Sequence, residues 1–198
     1  MIVAKNFTRD AKTELVSDVF DKFVRSQELH LPFERIELEI RDTTVSLVNE
    51  ESAFVCIDYN SPVVAEKDKR GVKMLVYQEL FRLMFKTDLP RPVEDVIIGK
   101  ELVKRSFGDD LFYLYYVTMM NRTHETLADY INLNIPWIVF NKQDPYNSDF
   151  MKRLTKKLSK SRPECQKLFN LMLNLPKKDV EKAAKEYERL VKVEECSS

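Results

Sequence analysis

The sequence predicts an α+β fold: a small, early β-sheet packed on helices, followed by an α-helical C-terminal extension. Three observations lead there. Residues 34–41 (ERIELEIR) alternate polar and apolar side chains, the period of a strand with one wet face. Residues 72–86 are apolar around most of a helical circumference, and beyond residue 95 the apolar positions recur at helical spacing, interrupted by prolines. With 198 residues, 44% of them hydrophobic, the chain is long enough for one substantial core and a helical appendage. The division expected is residues 1–148 for the α+β domain and 149–198 for a basic helical extension.

In chain order, Leu15, Val16, Val19, Phe20 and Phe23 lie on one side of an amphipathic helix over residues 11–25. Strand 34–41 follows, with Thr44–Val48 as its expected pairing partner, and then a more apolar strand, Ala53–Asp58. Pro62 and a run of charge make residues 60–70 a loop. A helix is expected over residues 95–107, stopped near Gly108. Asp109 or Asp110 then caps an apolar core helix, residues 111–120. Asn121 or Thr123 is expected to cap a further helix. Residues 135–140 (IPWIVF), with the lone Trp137, form an apolar segment. Helices near 150–158 and 165–172 and a third capped by Asp179 complete the chain.

The segment 72–86 carries the most information. At 100° per residue its apolar side chains cover about 220° of the surface, against about 100° for an ordinary surface helix. What remains is a narrow strip holding Gly71, Leu75, Gln78, Glu79, Arg82 and Lys86. Polar groups gathered on one strip of an enclosed helix must face partners, water or a cleft. The plain reading is an i,i+3 ion pair between Glu79 and Arg82.

Gln78-Glu79-Leu80-Phe81-Arg82 occupies the frame of the zinc-binding HExxH motif, keeping the glutamate and losing both histidines. Asp95-Val96-Ile97-Ile98-Gly99, leading into Lys100-Glu101-Leu102, is similar to the Asp-x-x-Ile-Asn segment that follows that helix in several minimal families, with Gly99 where asparagine is usual. In these two segments, and in the layout of opening helix, short strands, enclosed helix and supporting helix, the chain resembles a degenerate minimal zincin-like domain of the SprT-like metallopeptidase kind. The resemblance implies a scaffold without its usual chemistry. A catalytic zinc needs about three protein ligands and an open position; glutamine is a very poor ligand and arginine is none. Gln78, Glu79, Arg82 and Asp95 are then a vestigial or binding cleft, with Arg82 supplying positive charge near the vacated metal position and pairing with Glu79 or Asp95. No catalytic residue, metal or cofactor is expected. The resemblance further implies a protein or peptide partner, bound in the groove by strand addition; a hydrolase with a non-standard site around Glu79 is the alternative on the same residues.

A different class of function comes from charge. Residues 151–193 hold 13 Lys and Arg against 5 Asp and Glu, whereas residues 1–150 hold 19 against 25, an asymmetry hidden by a net charge of zero. Lys152, Arg153, Lys156, Lys157 and Lys160 make a candidate basic patch for nucleic acid, although no aromatics interleave for base stacking. A solvated helix face, an acidic protein partner, the chain's own acidic domain or another subunit would serve the same residues.

Other classes are excluded. Three glycines, Gly71, Gly99 and Gly108, cannot build a phosphate-cradling loop. His30 and His124 are remote from each other, and His124-Glu125 ends its five-residue window on Ala128. Cys56, Cys165 and Cys196 are odd in number and lack CxxC spacing, which fits neither a disulfide framework nor a zinc ribbon. No run of about 18 apolar residues is present to cross a bilayer, and the opening MIVAKNFTRDAK lacks the apolar core of a secretory signal. A cytoplasmic protein with reduced thiols and no membrane partner is expected.

Overall fold

The computed structural model describes residues 2–6, 10–26, 31, 33–42, 44–48, 52–85, 88–119, 126–140, 162–176 and 178–195. It has the α+β architecture expected from the sequence. The chain forms two compact units, residues 1–87 and 88–198. The boundary between them falls at 87/88 and not at the expected 148/149, every helix from Arg91 onward grouping with the C-terminal helices.

The first unit contains β1 (Ile2–Asn6), α1 (Ala11–Ser26), β2 (Arg35–Arg41), β3 (Val45–Val48), β4 (Ser52–Asp58), the short α2 (Pro62–Ala65) and α3 (Lys69–Phe85). Its sheet runs β1-β2-β4-β3, with β1, β2 and β4 parallel and β3 antiparallel at the end. β1 has no clear alternation of its own and escapes the sequence reading. β3 pairs with β4 (Val45 opposite Cys56, Val48 opposite Ala53) and not with β2, a correction of the expected pairing. Connection length does not decide it, since three residues separate β3 from either neighbour; β2 has both edges taken, by β1 and β4, which leaves the outer edge of β4 for β3.

The alternation of β2 works as anticipated. Ile36 and Leu38 are buried, as are Ala53, Val55 and Ile57 of β4, which share their face by register. The opposite face carries Arg35 bonded to Glu37 at 2.7 Å and Arg41 bonded to Glu39 at 2.6 Å. α1 packs on α3, and both touch the sheet. Val16, Phe20 and Phe23 of α1 are buried there, with Phe23 edge-on to Tyr77 at 4.3 Å between ring centres.

Caps set both helices. The Asp10 carboxylate accepts the backbone N–H of Lys12 and of Thr13 at 2.9 and 2.8 Å, starting α1. The Thr13 amide, more than any other neighbour, holds the Asp10 carboxyl below its ordinary pKa. Asp68 accepts from Arg70 and Gly71 in the same way and starts α3. The expected loop 60–70 therefore contains α2 and the first residues of α3.

The second unit comprises α4 (Arg91–Leu102), a π-type segment (Val103–Phe107), α5 (Gly108–Met119), α6 (Leu127–Val139), a 3-10 turn (Pro163–Cys165), α7 (Gln166–Leu173) and α8 (Val180–Glu195). Gly108 does not stop the preceding helix: it begins α5 with helical angles, and the break lies at Ser106, whose φ is +70°. A residue in the left-handed region turns the chain out of the helix, a role glycine more often fills. α5 is not the enclosed core helix expected, since Tyr116 is 41% exposed and only Leu111, Leu114, Tyr115 and Met119 line a buried side. The enclosed position belongs to α4, with Val93, Val96, Ile97, Ile98 and Leu102 buried.

Gly99 is what lets α4 approach so closely. A Cβ there would meet Val139 of α6 at 2.8 Å and the Tyr115 hydroxyl at 3.3 Å. The apolar segment 135–140 proves to be the end of α6, which accommodates Pro136 internally and leaves Trp137 42% exposed. Thr126 and Asp129 cap α6 with a reciprocal box; Asn121 and Thr123, the expected caps, lie outside the described residues, as does the expected helix near 150–158.

Lys100 ties this unit together. Its ammonium donates to the carbonyls of Met172, Leu173 and Leu175 at 3.0, 2.8 and 2.9 Å, satisfying the orphan acceptors at the end of α7. Burial brings its pKa down from 10.5 to about 8. Because the folded value lies below the unfolded one, the unfolded chain binds more protons between these pH values, and this group's contribution to stability rises as pH climbs from about 8 towards 10.5. Lys100→Met at neutral pH is expected to cost about 1–2 kcal/mol, three charge-assisted bonds being offset by relief of the buried charge. A denaturation midpoint unchanged within error would show that water replaces the ammonium without loss.

Candidate functional site

α3 is buried from Gly71 to Leu83 except at Lys73, while Lys69, Arg70 and Phe85 at its ends are exposed. Its apolar residues Val72, Met74, Val76, Leu80, Phe81 and Leu83 are buried, and so is the polar strip: Gln78 is 8% exposed, Glu79 1% and Arg82 6%. The sequence reading expected this strip to open on a cleft; the residues stay together on the helix, but within packed protein. Lys86 lies outside the described residues.

Burial on this scale dictates pairing. An ionised carboxylate withdrawn from water is strongly disfavoured unless an opposite charge and hydrogen bonds replace the solvent. Arg82 Nε stands 3.5 Å from Glu79 Oε2, one turn away on the same face. Each residue also has a further interaction besides this pair. The ion pair of the plain reading is therefore present.

Asp95 belongs to the second unit. It sits in the opening turns of α4, 3.9 Å from Arg91 at i,i+4. Glu79 thus pairs with Arg82 on α3 and Asp95 with Arg91 on α4, and Asp95 and Arg91, like Glu79 and Arg82, each have a further interaction.

Cys56 is a neighbour that sequence reasoning missed. Buried on β4, its thiol lies 3.9 Å from Glu39 Oε2, and Glu39 is held by Arg41 at 2.6 Å. Desolvation, then the Glu39 charge, and further the Glu79 charge push the Cys56 thiol above its ordinary pKa, which keeps it protonated and unreactive. The register Glu39 opposite Cys56 in a parallel ladder brings them together, and register is invisible in the sequence. Cys165 in the second unit is likewise buried, its pKa pushed up to about 11 chiefly by desolvation.

Among the described residues no group of three or more His, Cys, Asp and Glu is placed to hold a metal ion. None of their helices is long and apolar enough to cross a membrane. His30, His124, Cys196 and the basic run Lys152, Arg153, Lys156, Lys157 and Lys160 lie outside the described residues. Compared with known protein families, with curated proteins and with solved structures, the chain matches none of them.

Proposed function

We propose that the chain is a catalytically silent interaction module with a zincin-like layout, binding an extended peptide as an added strand beside β3. The single observation that carries the silent part is the enclosure of Glu79. A general base must reach the proton it abstracts, directly or through one water; a carboxylate 1% exposed and paired with Arg82 is held for structure instead. On this reading the glutamate of the HExxH frame survives as half of a buried ion pair.

Support for the binding part comes from the end of the sheet. β3 follows β4 in the strand order, with no further described strand beyond it. Leu47 is 55% exposed and Val48 43% exposed on this terminal strand. A row of backbone donors and acceptors flanked by apolar side chains suits an incoming extended chain, with main-chain bonds giving affinity and alternate side chains giving selectivity. The module acts in the cytoplasm, where its thiols remain reduced.

The test is selection from a phage-displayed library of linear peptides, followed by titration of the enriched sequences. Enriched peptides should alternate apolar residues, shift the amide resonances of residues 45–48, and bind at least about tenfold more weakly to a Leu47→Lys/Val48→Lys variant, since charge on an edge strand opposes pairing. Binding indifferent to that variant overturns the site, and peptide hydrolysis lost in Glu79→Gln overturns the silent reading.

A further inference from the structure

The first unit contains a cavity of about 300 Å³ between α1 and α3, and none of Gln78, Glu79, Arg82 and Asp95 lines it. Its cationic groups come from both helices: Lys22 from α1, Lys69 and Lys73 from α3. Asp18 is the one carboxylate among the lining residues, and Lys73 has a further interaction of its own. Neither Lys22 nor Lys69 has an ion-pair partner among the described residues. The rest of the wall is apolar or aromatic, from Leu15, Val19 and Tyr77.

The two kinds of lining are arranged with respect to each other. Lys73 Nζ lies 5.4 Å from the centre of the Tyr77 ring, and that ring is fixed by its edge-on contact with Phe23. The flat wall is therefore rigid while the lysines are long and adjustable. Lys69 is the first residue of α3, where the positive end of the helix dipole adds to its charge. Like charges gathered around one concavity repel one another, and an anion placed among them relieves that repulsion.

The geometry points to this pocket as a binding site for a small amphipathic anion: a carboxylate or phosphate head held by Lys22, Lys69 and Lys73, with a flat apolar body against Tyr77, Leu15 and Val19. At about 30 Å³ per water-sized group, the volume admits a body and head of about ten non-hydrogen atoms. Small-molecule sites with an apolar lining and a few convergent polar groups have this composition. The inference is independent of peptide binding at β3, because the pocket shares no residue with that strand.

Phenylacetate is a suitable probe, with phenylacetamide as its neutral isostere and phenyl phosphate as the alternative head. Titration followed by amide resonances should give saturable shifts at Leu15, Val19 and Tyr77. Phenylacetamide should bind about tenfold more weakly, and a Lys22→Ala/Lys69→Ala variant should weaken phenylacetate about fivefold, with raised salt acting in the same direction. Both lysines are exposed, so the variant keeps its fold. Whichever of phenylacetate and phenyl phosphate binds more tightly identifies the head. Equal binding of acid and amide, an unchanged affinity in the lysine variant, or no saturable binding by either anion overturns the assignment.

Discussion

Replacement of Arg82 by alanine is expected to lower the unfolding free energy by about 3–5 kcal/mol, the range for removing one partner of a buried ion pair. The cause is what remains. Glu79, 1% exposed, would lose a cation 3.5 Å away. The double variant Arg82→Ala/Glu79→Gln should regain part of that loss, because the charge disappears with its partner. Arg105, half-exposed and 2.8 Å from Glu101, supplies the contrast: its replacement by alanine should cost less than about 1 kcal/mol. Denaturant titration of the four proteins decides the matter. Similar small effects at Arg82 and Arg105 would mean that the buried pair contributes nothing beyond a solvated one, and the structural role given to Glu79 would fail with it.

Gly71→Ala should destabilise by about 2–3 kcal/mol, against the usual expectation for a helix interior. Alanine ordinarily gains about 1 kcal/mol over glycine there by restricting the unfolded chain. Here a Cβ would stand 2.3 Å from Val63 Cγ1, 2.7 Å from Val63 Cβ and 2.8 Å from Asp68 Oδ2. Val63 is fully buried on α2 and, being β-branched, has little rotamer freedom with which to yield. The Asp68 side chain is also committed, as the cap of α3. Val63→Ala would remove the 2.3 Å contact but keep the Cβ at 2.7 Å, so in combination the strain should be relieved in part and the two losses should sum to more than the double variant shows. A thermal midpoint for Gly71→Ala at or above that of the parent would show that α2 moves aside at no cost.

The ion pair of α3 was legible because its two residues lie one turn apart on a single helix, so periodicity alone puts them on one face. Their surroundings were not legible. A strip of Gly71, Leu75, Gln78, Glu79 and Arg82 reads as a wet edge on an amphipathic helix, yet it is buried with the rest. What covers a helix depends on neighbours brought from elsewhere in the chain. The anion pocket shows the same division. Leu15, Asp18, Val19 and Lys22 are spaced to share one side of α1, as Lys69, Lys73 and Tyr77 are on α3, and both stripes can be drawn from the sequence. That the two stripes face each other across a cavity follows from the packing of α1 on α3.

What the sequence determined by itself is what short-range forces decide: the α+β class, the alternation of β2, the broad apolar circumference of the helix beginning near residue 72, the capped or proline-marked starts of several helices, and the scarcity of glycine that rules out phosphate loops. These depend on propensity, period and hydrogen bonds between residues a few positions apart. Tertiary structure alone decided the partner of β3, the grouping of α4 with the C-terminal helices, the place of Cys56 beside Glu39, and the α1–α3 cavity. The last three join residues distant in the chain and the first depends on β2 having both edges occupied, so in each the outcome is set by competition among alternative pairings and burials. Such competition leaves no periodic trace in the local sequence, because the same amphipathic stripe is satisfied by any complementary face.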